Sequence, residues 1–554
     1  MAGDRETPVG ATHVVENQPP PFEDVNLLDT DPALAEGLAR EGGGWAEERV
    51  RAYGAVMGSA RVLELGRLAN RFPPELTAFD RFGHRIDEVR FHPAWHELMA
   101  LSMQHAVHAL PWREPRPGAQ VARTALHSIL SQVEAGHACP ITMTFACVPA
   151  LRTDEKRAGE WEPRVLSTEY DPRSRPAGEK SAATLGMAMT EKQGGSDVRA
   201  NTTRARALGG DSYELVGHKW FCSAPMSDAF LTLALLEEGA PPTCFLVPRW
   251  RPDGSRNPFH IQRLKEKLGN RSNASSEVEY RGTWAQRVGP EGRGIRTILE
   301  MVHHTRLDCV SGSTGLMRMA LAQALHHARH RRAFGRRLLE QPLMRNVLAD
   351  LALEVEAATA LMLRLARAFD AAPTDPVERA FARIATAVGK FWVCKRAPNA
   401  IGEAMECLGG NGYVEDAPLA RLYREAPVNA IWEGSGNVIC LDVLRAALRE
   451  PETLEALRAE LALARGADRR LDAALEALAA DLADPADAEL RARSLVGRLA
   501  TGLQASLLVR GAPGPVADAW CASRLGAPEP LFGALPAGCD FDAILERAAP
   551  EIAA

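Results

Sequence analysis

The sequence predicts an α+β protein, mostly α, in which an antiparallel β region sits between two helical regions and a further helical region closes the chain. Two observations carry this. Apolar residues recur at helical spacing up to about residue 153 and again from Gly294 onward. Between them, short apolar runs are separated by Gly, Pro, Asp and Asn, the texture of a sandwich or barrel. No strand alternates with a helix as a parallel sheet requires, which disfavours a Rossmann fold.

Taken in order, residues 1–35 hold Gln18-Pro19-Pro20-Pro21 without periodicity, an extended arm expected to lie on another surface. Residues 36–182 are predicted helical, with Leu98, Leu101, His105 and Val107 at helical spacing, and Ala138 to Leu151 read as buried interior. Their last part, residues 154–182, is a polar, Pro-rich connection of the surface-bound or functional kind. Residues 183–290 carry the strand-like runs Tyr213 to Val216, Lys219 to Cys222, Phe230 to Leu236, Cys244 to Val247 and Glu277 to Tyr280. In residues 291–450, Leu343, Val347, Leu351, Val355, Ala358 and Met362 mark one helical face, and Pro342 sits where a helix can begin without losing a hydrogen bond. Further helices fit Pro376 to Leu408 and Asn437 to Leu448. Residues 451–554 read as a helical appendage, rich in Ala, Leu, Arg and Glu to about Arg510, with a short helix near Phe541 to Ala549.

With 554 residues, 46% hydrophobic and 25% charged, the chain has material for a large core, and disordered or collagen-like classes are excluded. The formal net charge is −6, so no global basic excess draws the molecule onto nucleic acid or acidic membrane. Ten cysteines without a CxxC pair fit reduced thiols in a cytoplasmic protein and argue against a structural zinc site. Met1 to Val15 lacks the apolar core of a signal peptide, and the most apolar stretch is too short and too broken to span a membrane.

Several motifs could carry chemistry. In Thr190-Glu191-Lys192-Gln193-Gly194-Gly195-Ser196-Asp197 the glycines let backbone amides and the Ser196 hydroxyl converge on a pyrophosphate, although Ser and Asp also make local turns unaided. Lys219-Trp220-Phe221-Cys222-Ser223 reads as a cofactor wall or as an ordinary buried aromatic strand. Glu433, between Trp432 and Gly434-Ser435-Gly436-Asn437, is either a general base whose pKa is raised by burial or a surface carboxylate near a helix start. Gly409-Gly410-Asn411-Gly412 reads as a helix C-cap and turn. The run Arg329 to Arg337 is a solvated helix end or a phosphate-binding patch. His303 and His304 lack further partners for a metal.

Together and in this order, from about Gly186 to Leu448, these motifs resemble the acyl-CoA dehydrogenase family. The arm at Asn17, the TEKQGGSD loop, the segment Lys267 to Glu277 and the C-terminal extension resemble its AidB-like branch. The resemblance implies a helical N-terminal domain, a β domain and a four-helix bundle, FAD between them, an acyl-CoA substrate and a homotetramer. Met189 and Thr190 are then expected at the flavin edge, Gly195 and Ser196 at the pyrophosphate, and Phe221, Cys222 and Ser223 at the far side of the ring. Arg331, Phe334 and Gln341 match positions that reach a neighbouring subunit's FAD. Trp432, Gly434, Ser435 and Asn437 border the cofactor, and Glu433 matches the catalytic base. Lys192, Ser223 and Asn437 stand where the family has Pro, Thr and Gln, and His303, His304 and Thr305 offer no alternative carboxylate. The AidB-like branch also implies protection of double-stranded DNA during alkylation stress. Residues 451–554 hold 10 arginines, no lysines and 16 acidic residues, so such binding needs Arg445, Arg469, Arg470 and Arg524 to share one face. The alternative is a solvated mixed-charge surface.

Overall fold

The computed structural model describes residues 12–484, 486–526 and 529–549. The N-terminal arm lies along the helical core: Asn17 bonds to Arg331 and Arg332, the Pro20 carbonyl accepts from His326, and Leu27 and Leu28 are buried. Helices follow at Pro32–Arg40, Glu47–Met57, Ala60–Arg71, Pro93–Gln104, Ala119–Val133, Ala138–Leu151 and Glu155–Val165. Every residue of Ala119–Val133 is buried, and its Arg123 forms a bidentate pair with the equally buried Asp308. The region expected to be wholly helical also contains an antiparallel hairpin, Glu75–Phe79 with Arg85–Arg90. Its strands are too short for period-two alternation to stand out, and the turn is closed locally by Asp80, which accepts from the backbone of Phe82 and His84.

The central sheet has seven strands. Its path runs Leu185–Ala188, Ala229–Ala234, Thr243–Pro248, Ser275–Val288, Ser212–Ser223 and Arg204–Gly209, with Phe259–Leu264 paired to Ser275–Val288. All pairings are antiparallel except one: Leu185–Ala188 runs parallel to Ala229–Ala234. This corrects the expectation of a purely antiparallel sheet; the intervening strands and turns serve as the crossover that parallel neighbours need. The two runs read as separate at Tyr213 and Lys219 form one strand. It continues through Gly217, where an added Cβ would lie 2.4 Å from Thr203 Oγ1.

Three long helices, Gly294–His330, Pro342–Ala371 and Pro376–Glu406, pack together with Leu419–Asn429 and Gly436–Arg449. Pro342 and Pro376 both occupy first-turn positions, and Asp375 caps the second helix by accepting from Val377 and Glu378 N–H. The C-terminal helices Pro451–Ala462, Arg469–Ala483, Ala488–Gly511, Gly514–Arg524 and Phe541–Ala548 share the same core, with Leu457, Leu503 and Trp520 fully buried. Among the described residues no helix is long and apolar enough to cross a membrane. All ten cysteines are buried free thiols.

Candidate active site

Glu433 sits in the turn between helices Leu419–Asn429 and Gly436–Arg449, in left-handed backbone at φ +59°. Such a conformation costs a non-glycine residue about 1–3 kcal/mol, so the surroundings must hold it. They do. The fully buried Lys390 donates to the carbonyls of Trp432 (2.8 Å) and Gly434, on either side of Glu433. Arg306 Nε donates to the Glu433 carbonyl (3.1 Å), and its other end is fixed by Asp442 (2.8 Å), which Arg383 also holds. The carboxylate itself accepts from the Thr305 hydroxyl at 2.7 Å. Burial raises the Glu433 pKa above the ordinary glutamate value, against the opposing pull of Thr305, Lys390 and Arg306. Trp432 is oriented by Asn429, which is bonded in turn to Ser313.

The β region supplies a second wall. Thr190 follows strand Leu185–Ala188, and its carbonyl accepts from Trp220 N–H (2.8 Å), tying the TEKQGGSD loop to strand Ser212–Ser223. Glu191 anchors the loop: it accepts from buried Lys219 (2.8 Å), the N–H groups of Thr202 and Thr203, and the Thr203 hydroxyl. Burial pushes Glu191 up, but the charge and hydrogen bond of Lys219 with the threonine bonds outweigh it and hold the carboxyl at about 2. Gly194 packs inward, where a Cβ would meet Asp197 O at 2.7 Å and Asn201 Oδ1 at 2.8 Å. A Cβ on Gly195 would meet only Thr190, and both Gly195 and Ser196 face solvent. Phe221 is 51% exposed, unusual for an aromatic on a central strand, and Ser223 is half-buried. Cys222 departs from expectation. Strand alternation turns its side chain into the sheet core, where burial pushes the thiol up to about 12, so it cannot line the cofactor face.

These walls meet. Met189 and Trp432 pack against one cluster, and Cys139, at the start of helix Ala138–Leu151, lies against Ser223 and Asn273 within electrostatic reach of Glu433. Sequence reasoning passed over Cys139, Thr305 as a partner of Glu433, Lys390 and Glu191. Only the Thr-Glu pair within the loop motif hinted at any of them. Arg331, Phe334 and Gln341 lie elsewhere. Twenty-five helical residues separate Arg306 from Arg331, roughly 38 Å along the helix Gly294–His330. Phe334, at the tip of the small hairpin Arg332–Ala333 and Arg336–Arg337, is 98% exposed, and Gln341 bonds back to Ala333 (3.3 Å). Ser435 is half-buried, and the exposed Asn437 accepts from Arg493 of the C-terminal extension at 2.9 Å.

The proposed arginine face is corrected in part. Arg524 is a structural group, its side chain only 12% exposed and paired with Asp350 and Glu354 of the bundle. Arg470 is bound by Asp468 and Asp518. Arg445 and Arg469 remain exposed.

Comparison with known proteins agrees with this architecture. Residues 17–172 match the adaptive response protein AidB N-terminal domain, 186–283 the acyl-CoA dehydrogenase middle domain, and 292–448 the acyl-CoA dehydrogenase C-terminal domain. AidB of Escherichia coli (strain K12) is 49% identical over 512 residues, covering 92% of this chain and 94% of that protein. Acyl-CoA dehydrogenase family member 11 of Caenorhabditis elegans is 33% identical over 404 residues, 70% of this chain and 64% of the relative. The crystal structure of Caenorhabditis elegans ACDH-11 in complex with C11-CoA superposes with a TM-score of 0.82 at 26% identity, covering 98% of this chain and 94% of that one. With Glu433 held in its turn by Thr305, Lys390 and Arg306, an exposed glycine loop and an exposed aromatic on the β wall, and domain matches along most of its length, the chain belongs to the acyl-CoA dehydrogenase family and carries an AidB-type N-terminal domain.

Proposed function

We propose that this chain is an FAD-dependent acyl-CoA dehydrogenase in which Glu433 removes the α proton of an acyl-CoA thioester. The observation that carries this is Glu433 itself, a desolvated carboxylate in strained backbone, hydrogen-bonded to Thr305 and within electrostatic reach of Cys139, which lies against Ser223 of the β wall. Desolvation makes it a stronger base than an exposed glutamate, which suits abstraction of a weakly acidic proton. The residues fit FAD: the solvent-exposed backbone of Gly195 and Ser196 leaves a pyrophosphate access to the loop, and exposed Phe221 with half-buried Met189 and Thr190 offers a ring-sized surface. Bound there, FAD supplies the acceptor for the hydride that leaves the β carbon. A backbone N–H near Glu433 would polarise the thioester carbonyl beside the base.

Arg331 and Phe334 lie beyond the far end of the helix that carries Arg306, too far to serve their own protomer's Glu433 site, which supports their reaching a neighbour's cofactor in a homotetramer. A cytoplasmic location agrees with the ten reduced thiols. Anaerobic titration with straight and branched acyl-CoA thioesters tests the activity. Wild type should bleach, and Glu433→Gln should keep its flavin yet bleach at least ~10²-fold more slowly, the usual weight of a positioned base. Equal rates would move the base elsewhere.

A second reading, DNA protection, draws support from Arg445 and Arg469, exposed cations on one chain that a tetramer would repeat. Duplex binding should then fall by orders of magnitude between ~50 and 200 mM salt and weaken further in Arg445→Glu/Arg469→Glu. Binding indifferent to both, or none at low salt, removes this reading.

A further inference from the structure

We propose that a cavity between the N-terminal hairpin and the sheet region is a second ligand site, distinct from the flavin and acyl site, built for a small organic monocarboxylate with a flat apolar body and a hydroxyl or amino donor. The cavity measures about 660 Å³, within the usual range for small-molecule sites. It is bounded by strand Arg85–Arg90, the start of helix Pro93–Gln104, the polar connection at residues 170–180, and the sheet at Asp228 and Arg249. None of the residues assigned above to flavin, base or neighbouring subunit lines it.

Among the described residues, two buried polar atoms at this cavity have no hydrogen-bond partner, and one buried cation has no carboxylate partner. Arg249, 7% exposed, donates only to the backbone carbonyls of Pro225 and Asp87, and no carboxylate pairs with it. The nearby acids are committed elsewhere, Asp87 to Arg85 (2.8 Å) and Asp228 to Lys180 (2.7 Å). Burial, with the neighbouring Arg256, pulls the Arg249 guanidinium down to about 10, against the partial support of Asp87 and Asp228. Trp95 Nε1, on a residue 2% exposed, has no acceptor, and Asp87 Oδ1, on a residue 6% exposed, has no donor. Buried groups of this kind are costly unless something satisfies them.

The walls choose among anions. Phe91 stacks on Trp95 with centroids 3.8 Å apart, and Trp250 and Tyr170 complete an aromatic lining that an inorganic ion would leave unused. The lining acids Asp87, Glu88, Asp171 and Asp228 are matched by Arg85, Arg256, Arg173 and Lys180, so Arg249 is the buried cation left to the ligand, and a monocarboxylate balances it where a phosphate monoester, with nearly two negative charges at neutral pH, would carry excess charge into the aromatic lining. The carboxylate is assigned to Arg249 in fork geometry, a ligand hydroxyl or amine donates to Asp87 Oδ1, and Trp95 donates to the ligand.

Calorimetric titration of the full-length, FAD-loaded protein tests this with three probes: 4-hydroxyphenylacetate, its neutral alcohol 2-(4-hydroxyphenyl)ethanol, and phenyl phosphate. The expected result is saturable binding of one 4-hydroxyphenylacetate per chain, at least tenfold tighter than either other probe and unchanged by saturating acyl-CoA in Glu433→Gln. Arg249→Gln should weaken it at least tenfold. Because Arg249 also ties two loops, Arg90→Ala at the exposed rim and Trp250→Ala in the wall are measured beside it and should each weaken binding several-fold while bleaching by acyl-CoA stays normal. Absence of saturable binding, equal binding of the alcohol, tighter binding of the phosphate, competition by acyl-CoA, or unchanged affinity in Arg90→Ala and Trp250→Ala would each overturn the proposal.

Discussion

Glu433 shows how one residue can be strained, desolvated and still held ready to ionise. Its left-handed backbone turns the carboxylate toward Thr305, while Lys390 and Arg306 secure the adjoining carbonyls rather than the carboxylate. A cation bonded directly to the carboxylate would depress its pKa and weaken the base; these cations act mainly through the backbone. The sign of the Thr305 contribution follows. Its hydroxyl donates to the charged form and lowers the pKa, so Thr305→Val should raise it further. Because the ionised carboxylate is the active form, the rising limb of flavin bleaching against pH should move to higher pH in Thr305→Val, with a loss of roughly severalfold at neutral pH. Stopped-flow rates between pH 5 and 9 would show it, and an unmoved limb would mean that the hydroxyl is spectator to the base.

At the scale of elements, buried ion pairs fasten one piece of structure to another. Glu191 and Lys219 join the TEKQGGSD loop to strand Ser212–Ser223, and Arg123 and Asp308 join helix Ala119–Val133 to helix Gly294–His330. Breaking such a pair from one side leaves an uncompensated buried charge. Glu191→Gln should therefore cost on the order of 3–5 kcal/mol in denaturant unfolding and loosen FAD, since buried Lys219 loses its counter-charge and must either stay charged unpaired or give up its proton. The pH dependence has a definite sign. Glu191 is held at about 2 in the folded protein, below its ordinary value near 4.5, so its contribution is complete above pH 4.5 and lost as pH falls toward 2. The gap in stability between wild type and variant should accordingly narrow on acidification through that window. A gap constant from pH 6 to pH 3 would contradict the assignment of a charged Glu191.

At the scale of the whole molecule, the length of helix Gly294–His330 separates two functional ends. Thr305 and Arg306 hold the proposed base Glu433 at one end, while Arg331 and the exposed Phe334 project at the other, with the arm residue Asn17 bonded to Arg331 and Arg332. An aromatic ring 98% exposed on a hairpin tip suits the subunit interface proposed for it. Phe334→Asp should lower the assembled mass seen by light scattering and reduce flavin retention by about tenfold, a loss of roughly 1.4 kcal/mol, without altering far-ultraviolet circular dichroism. Unchanged mass and flavin content would detach this hairpin from the cofactor. The C-terminal helices act differently. Arg524, paired with Asp350 and Glu354, and Arg510, paired with Glu460, fasten the extension to the bundle, so reversing Arg524 should destabilise the protein rather than probe DNA.

The sequence by itself determined the order of helical, β and helical regions, because periodicity and turn residues are local and survive without neighbours. It also determined the glycine loop at 194–195, the starts of the helices at Pro342 and Pro376, and the single carboxylate in the Ile431 to Asn437 turn. Tertiary structure alone decided what those residues face. Cys222 and Phe221 are adjacent in sequence, yet strand alternation sends one into the core and the other to the surface. Arg524 and Arg469 look alike as letters, but only packing against Asp350 shows that the first is a buried strut. The parallel pair within the sheet, the grip of Lys390 on the Glu433 turn and the cavity beside Arg249 all join residues distant in the chain. Contacts of that kind leave no period in the sequence, because they are set by which surfaces the folded core brings together.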